Sequence, residues 1–285
     1  MTRIRKPKSK RKSMHCGKTS LARAAALVLL LSFMVLNGCA KSPWTSVLEG
    51  EQRTGLEAAF ADFIDSQNQC TPSWDAEVAI AWTSVVRNYS FDAYCRMLEP
   101  SYLRVVVSNP LGQPLKIIGI NGTTYQAIDT VQRSTVTGSL RSWAVRHDLP
   151  LNLVHGRWLD WLGGRSSAAT EQIGEIRLDS EHRGAWFNIY VADTETLEEY
   201  ILFDRENGKI VERILIDEHG QVFATLEYLE WQEVDGCLYP VTLVIGELPL
   251  GGRAELRFSD IRQSSFEAAD FNIYSPRGFS RTWLP

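Results

Sequence analysis

Cys39 is the residue whose position most clearly suggests chemistry in this chain of 285 residues. It closes the tetrapeptide Leu36-Asn37-Gly38-Cys39, at the end of an apolar run over residues 24–36 that only Ser32 interrupts. Nine basic residues and no acidic residue precede it. A transmembrane helix needs about 20 apolar residues, so this run is too short to span a bilayer. The pattern predicts the positively flanked hydrophobic core of an export signal.

The tetrapeptide resembles the lipobox of bacterial lipoproteins. The resemblance implies that diacylglycerol alkylates the Cys39 thiol, that the signal is cleaved before this cysteine and that the new amino terminus is acylated. Each buried methylene contributes about 0.8 kcal/mol, so several acyl chains would hold the mature chain permanently. Ala40, in place of an aspartate, favours by the same resemblance the periplasmic face of the outer membrane. The alternative is an ordinary cleaved signal followed by a chance cysteine.

The charge of the chain changes when residues 1–38 are removed. The remainder has 21 basic and 34 acidic residues, a net charge of −13. This balance argues against a nucleic acid or an anionic membrane surface as the partner, because either needs a basic footprint. The length suits one domain with a sizeable core. We therefore expect an acidic, periplasm-facing body.

The remaining cysteines and histidines show no spacing typical of a metal site. Cys70 and Cys95 could form a disulfide in the periplasm, but Cys237 would then remain unpaired. The favoured interpretation is that these cysteines are buried free thiols. Four histidines outside the signal are scattered along the chain. No Gly-x-Ser-x-Gly elbow, phosphate-binding loop or dinucleotide fingerprint occurs. We expect no metal, no cofactor and no enzymatic activity. The alternative is a hydrolase, but the sequence offers no nucleophile and base that could be named for it.

Apolar periodicity predicts a mainly β domain. Helical spacing around Phe60 indicates one early amphipathic helix. Beyond Pro72 the period becomes two, and further strands recur at regular turn signals; a helical interlude is expected over residues 131–161, ending at Gly163-Gly164. The predicted strands cover residues 78–82, 103–107, 115–120, 173–178, 185–191, 199–203, 210–216, 222–231, 239–245 and 254–261. About 10 or 11 strands with few helices predict one curved antiparallel sheet, an open half β-barrel whose covering helices enclose an apolar cavity.

Tryptophan is abundant, with nine residues. Such rings could line a cavity that accepts acyl chains, because they offer large apolar area at little entropic cost. Trp82, Trp158, Trp186 and Trp231 are the candidates, since they lie on predicted strands or on the covering helix. The alternative is that these rings fill a core.

The segment Tyr102-Leu-Arg-Val-Val-Val-Ser-Asn-Pro-Leu-Gly112 resembles the outer-membrane lipoprotein receptor family LolB. There a strand carrying Tyr and Arg enters an Asn-Pro-Leu-Gly loop. A second match follows at Leu149-Pro-Leu-Asn-Leu153 with Trp158 and Leu162-Gly163, so that the similarity covers about residues 36–180. Beyond residue 230 the chain departs from that family. Tyr239-Pro240 and the ending at residues 270–278 are more similar to the related carrier family, LolA.

The resemblance implies a protein that takes lipoprotein acyl chains from a periplasmic LolA-like carrier and inserts them into the outer membrane. Residues 1–38 would be the signal peptide, 39–48 a lipidated tether and 49–285 the lipoprotein-binding domain of a monomer. Leu111 would contact the membrane, with Pro110 fixing the approach and Gly112 the sharp exit. The alternatives are a leucine folded back onto the sheet and, for the whole protein, an envelope-assembly lipoprotein that docks a protein or another lipid without catalysis.

Overall fold

The computed structural model describes residues 42–146, 158–190, 198–217, 219–248 and 251–284. The chain divides into two units, Met1–Ser42 and Pro43–Pro285, and every element named below lies in the second. Cys39 and the predicted signal lie outside the described residues. Within the described ranges, no helix combines the length and the apolar character that crossing a membrane requires.

Fifteen strands make up the described sheet. The first eight are β1 (Trp44–Val47), β2 (Ser73–Thr83), β3 (Asn88–Leu98), β4 (Tyr102–Ser108), β5 (Pro114–Asn121), β6 (Thr124–Asp129), β7 (Ser134–Ser139) and β8 (Ile173–Asp179). The others are β9 (Ala185–Tyr190), β10 (Glu198–Asp204), β11 (Lys209–Ile216), β12 (Val222–Val234), β13 (Cys237–Leu248), β14 (Gly252–Gln263) and β15 (Ser280–Leu284).

The strands form one open, curved sheet in the order β1-β8-β9-β10-β11-β12-β13-β14-β2-β3-β4-β5-β6-β7-β15. All neighbours are antiparallel except β15, which pairs with β7 in parallel. Register shifts, for example between Ser259 and Arg262 of β14, bend the strands. The prediction of a mainly β, single curved sheet is confirmed. The predicted count of 10 or 11 strands is too low, because β1, β3, β6, β7 and β15 were not recognised; β1 falls in the predicted tether.

Three α-helices occur in the described part of the chain: α1 (Gly50–Asn68), α2 (Leu140–Arg146) and α3 (Trp158–Gly163). Short 3-10 helices occur at Thr170–Gln172 and Ala268–Phe271. The helical interlude predicted over residues 131–161 is wrong over Ser134–Ser139, which forms β7. That segment reads Ser-Thr-Val-Thr-Gly-Ser, and its β-branched residues suit a strand better than a helix. The apolar residues that suggested a helix begin only at Leu140.

The main core lies on the inner face of the sheet, defined here as the face that α1 covers. Phe60 of α1 stacks on Phe187 of β9 at a centroid distance of 4.5 Å, and it meets Phe203 of β10 edge-on at 5.3 Å. Phe60 and both of these partners are almost completely buried. Because the inner face buries aromatic and aliphatic side chains against a helix, burial of apolar area stabilises the curved arrangement.

The strand ends form two opposite borders of the sheet, which differ in the turns that they carry. We call these borders the hairpin edge and the clasped edge; both names refer to strand ends and not to the outermost strands β1 and β15. The hairpin edge carries the turns at residues 84–87, 109–113, 130–133 and 217–221, and β13 and β14 also meet there. The clasped edge is the opposite one, where β3 joins β4 and β12 joins β13. It lies beside the end of α1, because a disulfide joins Cys70, just after this helix, to Cys237 at the start of β13.

This disulfide corrects the expectation of free thiols. The sulfur atoms of Cys70 and Cys237 are 2.13 Å apart, and 167 residues separate the two cysteines in sequence. Spacing along the chain could not predict the pair, because only the wrapping of the sheet around α1 brings them together. Cys95, the other candidate partner, is a free and buried thiol in β3.

Candidate functional site: an apolar pocket and a projecting loop

An apolar pocket of about 320 Å³ lies on the inner face between the sheet and the two short helices. All its lining residues are apolar. Five come from helical elements: Leu140, Trp143 and Ala144 of α2, and Trp161 and Leu162 of α3. Its volume falls at the lower end of the range of about 300–1,000 Å³ that small-molecule sites occupy. The pocket could hold an apolar chain but offers a polar ligand nothing to bond.

The strand side of the pocket lies towards the hairpin edge. Trp82 is the last but one residue of β2, Leu215 is the last but one of β11, and Leu248 ends β13. Ala224 and Ala254 are each the third residue of a strand that begins at this edge. Ile120, the last but one residue of β5, is an exception at the clasped edge, so the pocket lies near the hairpin edge but reaches towards the opposite one.

Polar groups buried beneath the pocket hold α3 and its following loop on the sheet. The Tyr228 hydroxyl donates a hydrogen bond of 2.6 Å to the Trp161 carbonyl. The Arg213 guanidinium donates to the Arg165 carbonyl and contacts the Glu199 carboxylate at 3.2 Å. Cationic donors suit the carbonyls at a helix C-terminus. These bonds fix the helical wall of the pocket at Trp161.

Burial and the neighbouring side chains together set the pKa values in this network. Burial raises the pKa of Tyr228 to about 12, so its hydroxyl stays protonated and can keep donating to Trp161. Burial alone would lower the pKa of Arg213, but the neighbouring Tyr228 and Glu199 outweigh it and the pKa is raised. A charged Arg213 and a neutral Tyr228 are thus the stable states across the physiological pH range.

Three of the four tryptophans that the sequence suggested for one cavity, Trp82, Trp186 and Trp231, lie in different surroundings in the structure. Trp82 lines the pocket. Trp186 lies on the outer face, where its indole N–H donates to Asp179 at 2.8 Å and its ring meets Trp44 edge-on; it does not line this pocket. Trp231 packs against Gly164 instead, so closely that a Cβ there would lie 2.3 Å from the ring. The side chain of Trp158 lies outside the described residues.

Sequence reasoning did not select Trp143 and Trp161 as pocket residues, although both line it. Their signal was present: each is a large apolar residue in the segment predicted to cover the sheet. A larger pocket of about 570 Å³ borders the outer face, but Glu77, Asp92 and several serines line it. This polar lining suits an apolar chain less well. In the described ranges, no three metal-ligating side chains come together.

The loop between β4 and β5 projects Leu111 into solvent. The Asn109 side chain organises it, because its carbonyl oxygen accepts the N–H groups of Leu111 at 2.9 Å and Gln113 at 3.0 Å. Gly112 adopts φ +76°, the left-handed region that glycine tolerates best. Leu111 is 83% exposed. It does not fold back onto the sheet, so this alternative is wrong.

Comparisons with known proteins support the fold alone. No family model and no curated protein matches this chain. A putative outer membrane lipoprotein-sorting protein domain from Vibrio parahaemolyticus has 13% identity and a TM-score of 0.50, covering 75% of this chain and 94% of that one. A DUF1329 family protein from Desulfovibrio piger has 11% identity and a TM-score of 0.52, covering 76% and 96%.

A LolA superfamily protein from Nitrosomonas europaea is also similar, at 10% identity and a TM-score of 0.48, covering 75% of this chain and 97% of that one. Identities this low show common architecture and leave function open. The chain thus shares its mainly β architecture with the two structures whose TM-scores are 0.50 and 0.52.

Proposed function

We propose that this protein binds the acyl chains of lipoproteins in the apolar pocket and helps to insert them into the outer membrane. The observation that carries the proposal is the pocket itself, an all-apolar space between an open sheet and its covering helices. The fold similarity to a lipoprotein-sorting domain supports it. No step of this function needs a catalytic residue, because binding and release of an acyl chain break no bond.

Three parts of the chain have separate tasks in this proposal. Cys39 carries the lipid that attaches the protein to the periplasmic face of the outer membrane. Trp82, with Trp143 and Trp161, offers flat apolar surface to the acyl chain. Leu111, between Pro110 and Gly112, dips into the bilayer at the point of delivery. The partners are a lipoprotein cargo and a LolA-like periplasmic carrier.

Filling the pocket tests the proposal with a matched control. Ala254 lines the pocket from β14, whereas Ala81 is exposed on the outer face of the neighbouring β2. Ala254→Leu and Ala81→Leu add the same three carbons to opposite faces. Displacing one or two methylenes of ligand costs about 0.8 kcal/mol each, so Ala254→Leu should weaken binding of a fluorescent fatty acid roughly tenfold.

Ala81→Leu should bind the fatty acid as the unsubstituted protein does. If both variants bind equally well, the ligand lies elsewhere and the proposal is wrong. If even the unsubstituted protein binds no fatty acid, the alternative of an envelope-assembly lipoprotein that docks a protein partner is favoured instead. Circular dichroism of both variants would show that the sheet is intact.

A further inference from the structure

Three hairpin tips along the hairpin edge present aliphatic side chains to solvent. We call Val85, Val86, Leu111 and Val131 the aliphatic tips; their exposed fractions are 89%, 66%, 83% and 73%. They belong to the β2–β3, β4–β5 and β6–β7 turns, which follow one another along this edge. The β2–β3 hairpin reaches farther than the other two, because residues 88–92 of β3 extend beyond its pairing with β4. Turns normally carry Gly, Asn, Asp, Pro or Ser at their exposed positions. Turn chemistry therefore does not explain valine and leucine here.

Polar side chains behind the tips hold these turns in place. Ser84 bonds the Arg87 carbonyl and also accepts the Arg87 N–H at 3.1 Å. Asp129 accepts the N–H of Gln132 at 2.7 Å. The Thr130 N–H donates to the Leu115 carbonyl at 3.0 Å, which ties the third turn to β5. Because each turn is internally bonded, the aliphatic side chains do not need to pack on the body.

The charge around the tips differs in sign from that of the body. Within residues 84–87, 109–116 and 129–133, Arg87, Lys116 and Arg133 are basic and exposed and Asp129 is the one acidic residue. Glu77 and Asp92 lie farther along β2 and β3, where they line a pocket with Asn109 and Pro110. The local charge of +2 contrasts with −13 for residues 39–285. The net charge of the chain argued against an anionic surface as a partner, but it hides this local cluster. Aliphatic tips ringed by basic groups complement the anionic interface of a bilayer.

The pocket lies beside these tips. Trp82 in the pocket wall is three residues before Val85 on the same hairpin. Gly251, between β13 and β14, approaches Val85, since a Cβ on it would lie 3.8 Å from that side chain. Leu248 of the pocket wall comes just before this junction. An acyl chain leaving the pocket towards the hairpin edge would emerge next to the tips.

We propose that the aliphatic tips together form a membrane-contacting surface that inserts among anionic headgroups, so that the pocket faces the bilayer. Val85, Val86 and Val131 thereby join Leu111 in one surface. This inference extends the proposed function, of which it assumes only that the domain works at a lipid surface. The geometry makes the contact multivalent: three tips insert, and three basic groups bind the headgroups around them.

Site-directed labelling of the full chain tests this surface. Val86→Cys and Val131→Cys would each carry an environment-sensitive fluorophore, and Asn207→Cys in the exposed β10–β11 turn is the matched control. The chain is labelled after signal cleavage and lipidation, so that Cys16 is removed and the Cys39 thiol is blocked. Cys95 is buried and Cys70 is bonded to Cys237, so these cysteines should not take the label either. The protein is incorporated into vesicles of phosphatidylethanolamine and phosphatidylglycerol that contain lipids with a quencher on the acyl chain.

We expect strong quenching and a blue shift at positions 86 and 131, and neither at position 207. Neutralising Arg87, Lys116 or Arg133 to Gln should lower the ratio of inserted to withdrawn tips about fivefold for each charge. Labels at 86 and 131 that stay in water would overturn the inference, as would equal quenching at 207. Shielding of these labels only when a carrier protein is added would identify a protein contact and also overturn it.

A fatty-acid binding assay on the same labelled proteins separates this inference from the proposed function. Water-exposed tips with intact fatty-acid binding refute the membrane surface and leave the pocket assignment standing. Quenched tips without fatty-acid binding refute the pocket assignment and leave the membrane surface standing. Urea unfolding midpoints equal to that of the unsubstituted chain would show that the labels did not perturb the fold.

Discussion

The two edges of the sheet differ in what holds them. At the clasped edge, a disulfide joins Cys70 to Cys237, and the buried Arg165 bonds Glu99 at 2.6 Å and the Tyr239 hydroxyl at 3.2 Å. At the hairpin edge, the apolar pocket lies beside turns with exposed aliphatic side chains. The comparison teaches that covalent and ionic contacts hold one edge, whereas exposed aliphatic side chains mark the other. One edge can be fixed while the other meets an apolar partner.

Removal of the disulfide should have the largest effect. The bond closes a loop across 167 residues of sequence, and a loop of this size restricts the unfolded chain enough to stabilise the fold by about 5 kcal/mol in the loop-entropy model. Cys237→Ala should therefore lower the free energy of unfolding by roughly 2–5 kcal/mol. Urea unfolding with and without reductant measures it.

Cys95→Ala is the control for the cysteine substitution. It removes a buried thiol outside the disulfide, and reductant should still destabilise this variant. If reductant leaves the unfolding midpoint of the unsubstituted chain unchanged, the covalent clasp contributes nothing and the comparison between the edges loses its main support.

Substitution of an arginine at each edge compares them directly. Arg165→Met at the clasped edge should cost about 2–3 kcal/mol, because it removes the hydrogen bonds that Arg165 donates to the Thr71 carbonyl and the Tyr239 hydroxyl and its ion pair with Glu99. Arg253→Met at the hairpin edge removes an exposed charge and should change stability by no more than about 0.5 kcal/mol. Thermal unfolding gives both values. Equal losses would contradict the division of tasks.

A charge on the projecting loop should block delivery and spare stability. Leu111→Glu should slow acyl transfer to vesicles at least roughly tenfold, because a carboxylate resists insertion into apolar surroundings. Gln113→Glu adds the same charge two residues later and retains an oxygen that can accept from the Asn109 amide. It should slow transfer by no more than about fivefold, the effect of one charge beside the headgroups, and less than Leu111→Glu. A Leu111→Glu protein with the normal transfer rate would show that the loop has no part in insertion.

The smallest expected effect concerns Cys95, the free cysteine of β3. Burial raises the pKa of Cys95 to about 12. An exposed thiol is half ionised near pH 8.5, whereas Cys95 stays protonated there and should not react, because the thiolate is the nucleophile. Mass spectrometry after iodoacetamide treatment at pH 8.5 should find Cys95 unmodified in the folded chain and modified in urea. Rapid modification of the folded chain would contradict its burial.

Much of the sheet follows from local sequence. Residues 173–263 contain period-two apolar patterns, most of them separated by segments that contain glycine, and the seven strands predicted there match β8 to β14 within a few residues. β7 was missed because its small Ser and Thr residues carry little apolar signal. β1 and β15 were missed because edge strands depend on a partner distant in sequence, which period-two patterns cannot reveal.

The candidate site was predictable only in part. Trp82 could be selected because it lies in a strand that alternates in side-chain direction, so that its ring must point to one face of the sheet. The structure shows that this face is the inner one. Trp186 belongs to the outer face, because it alternates with Phe187, which packs on α1. The exposure of Leu111 follows from the proline and glycine around it. The Cys70–Cys237 pair and the grouping of the aliphatic tips arise from sheet order, which no local pattern contains.

The most direct test of the central claim is a mass spectrum of lipids extracted from the purified unsubstituted protein, beside Ala254→Leu and Ala81→Leu. An acyl-chain binding pocket predicts co-purifying acylated molecules with the unsubstituted protein and with Ala81→Leu, at several times the level found with Ala254→Leu. Equal lipid content in all three proteins, or no lipid in any of them, would contradict the assignment of the pocket.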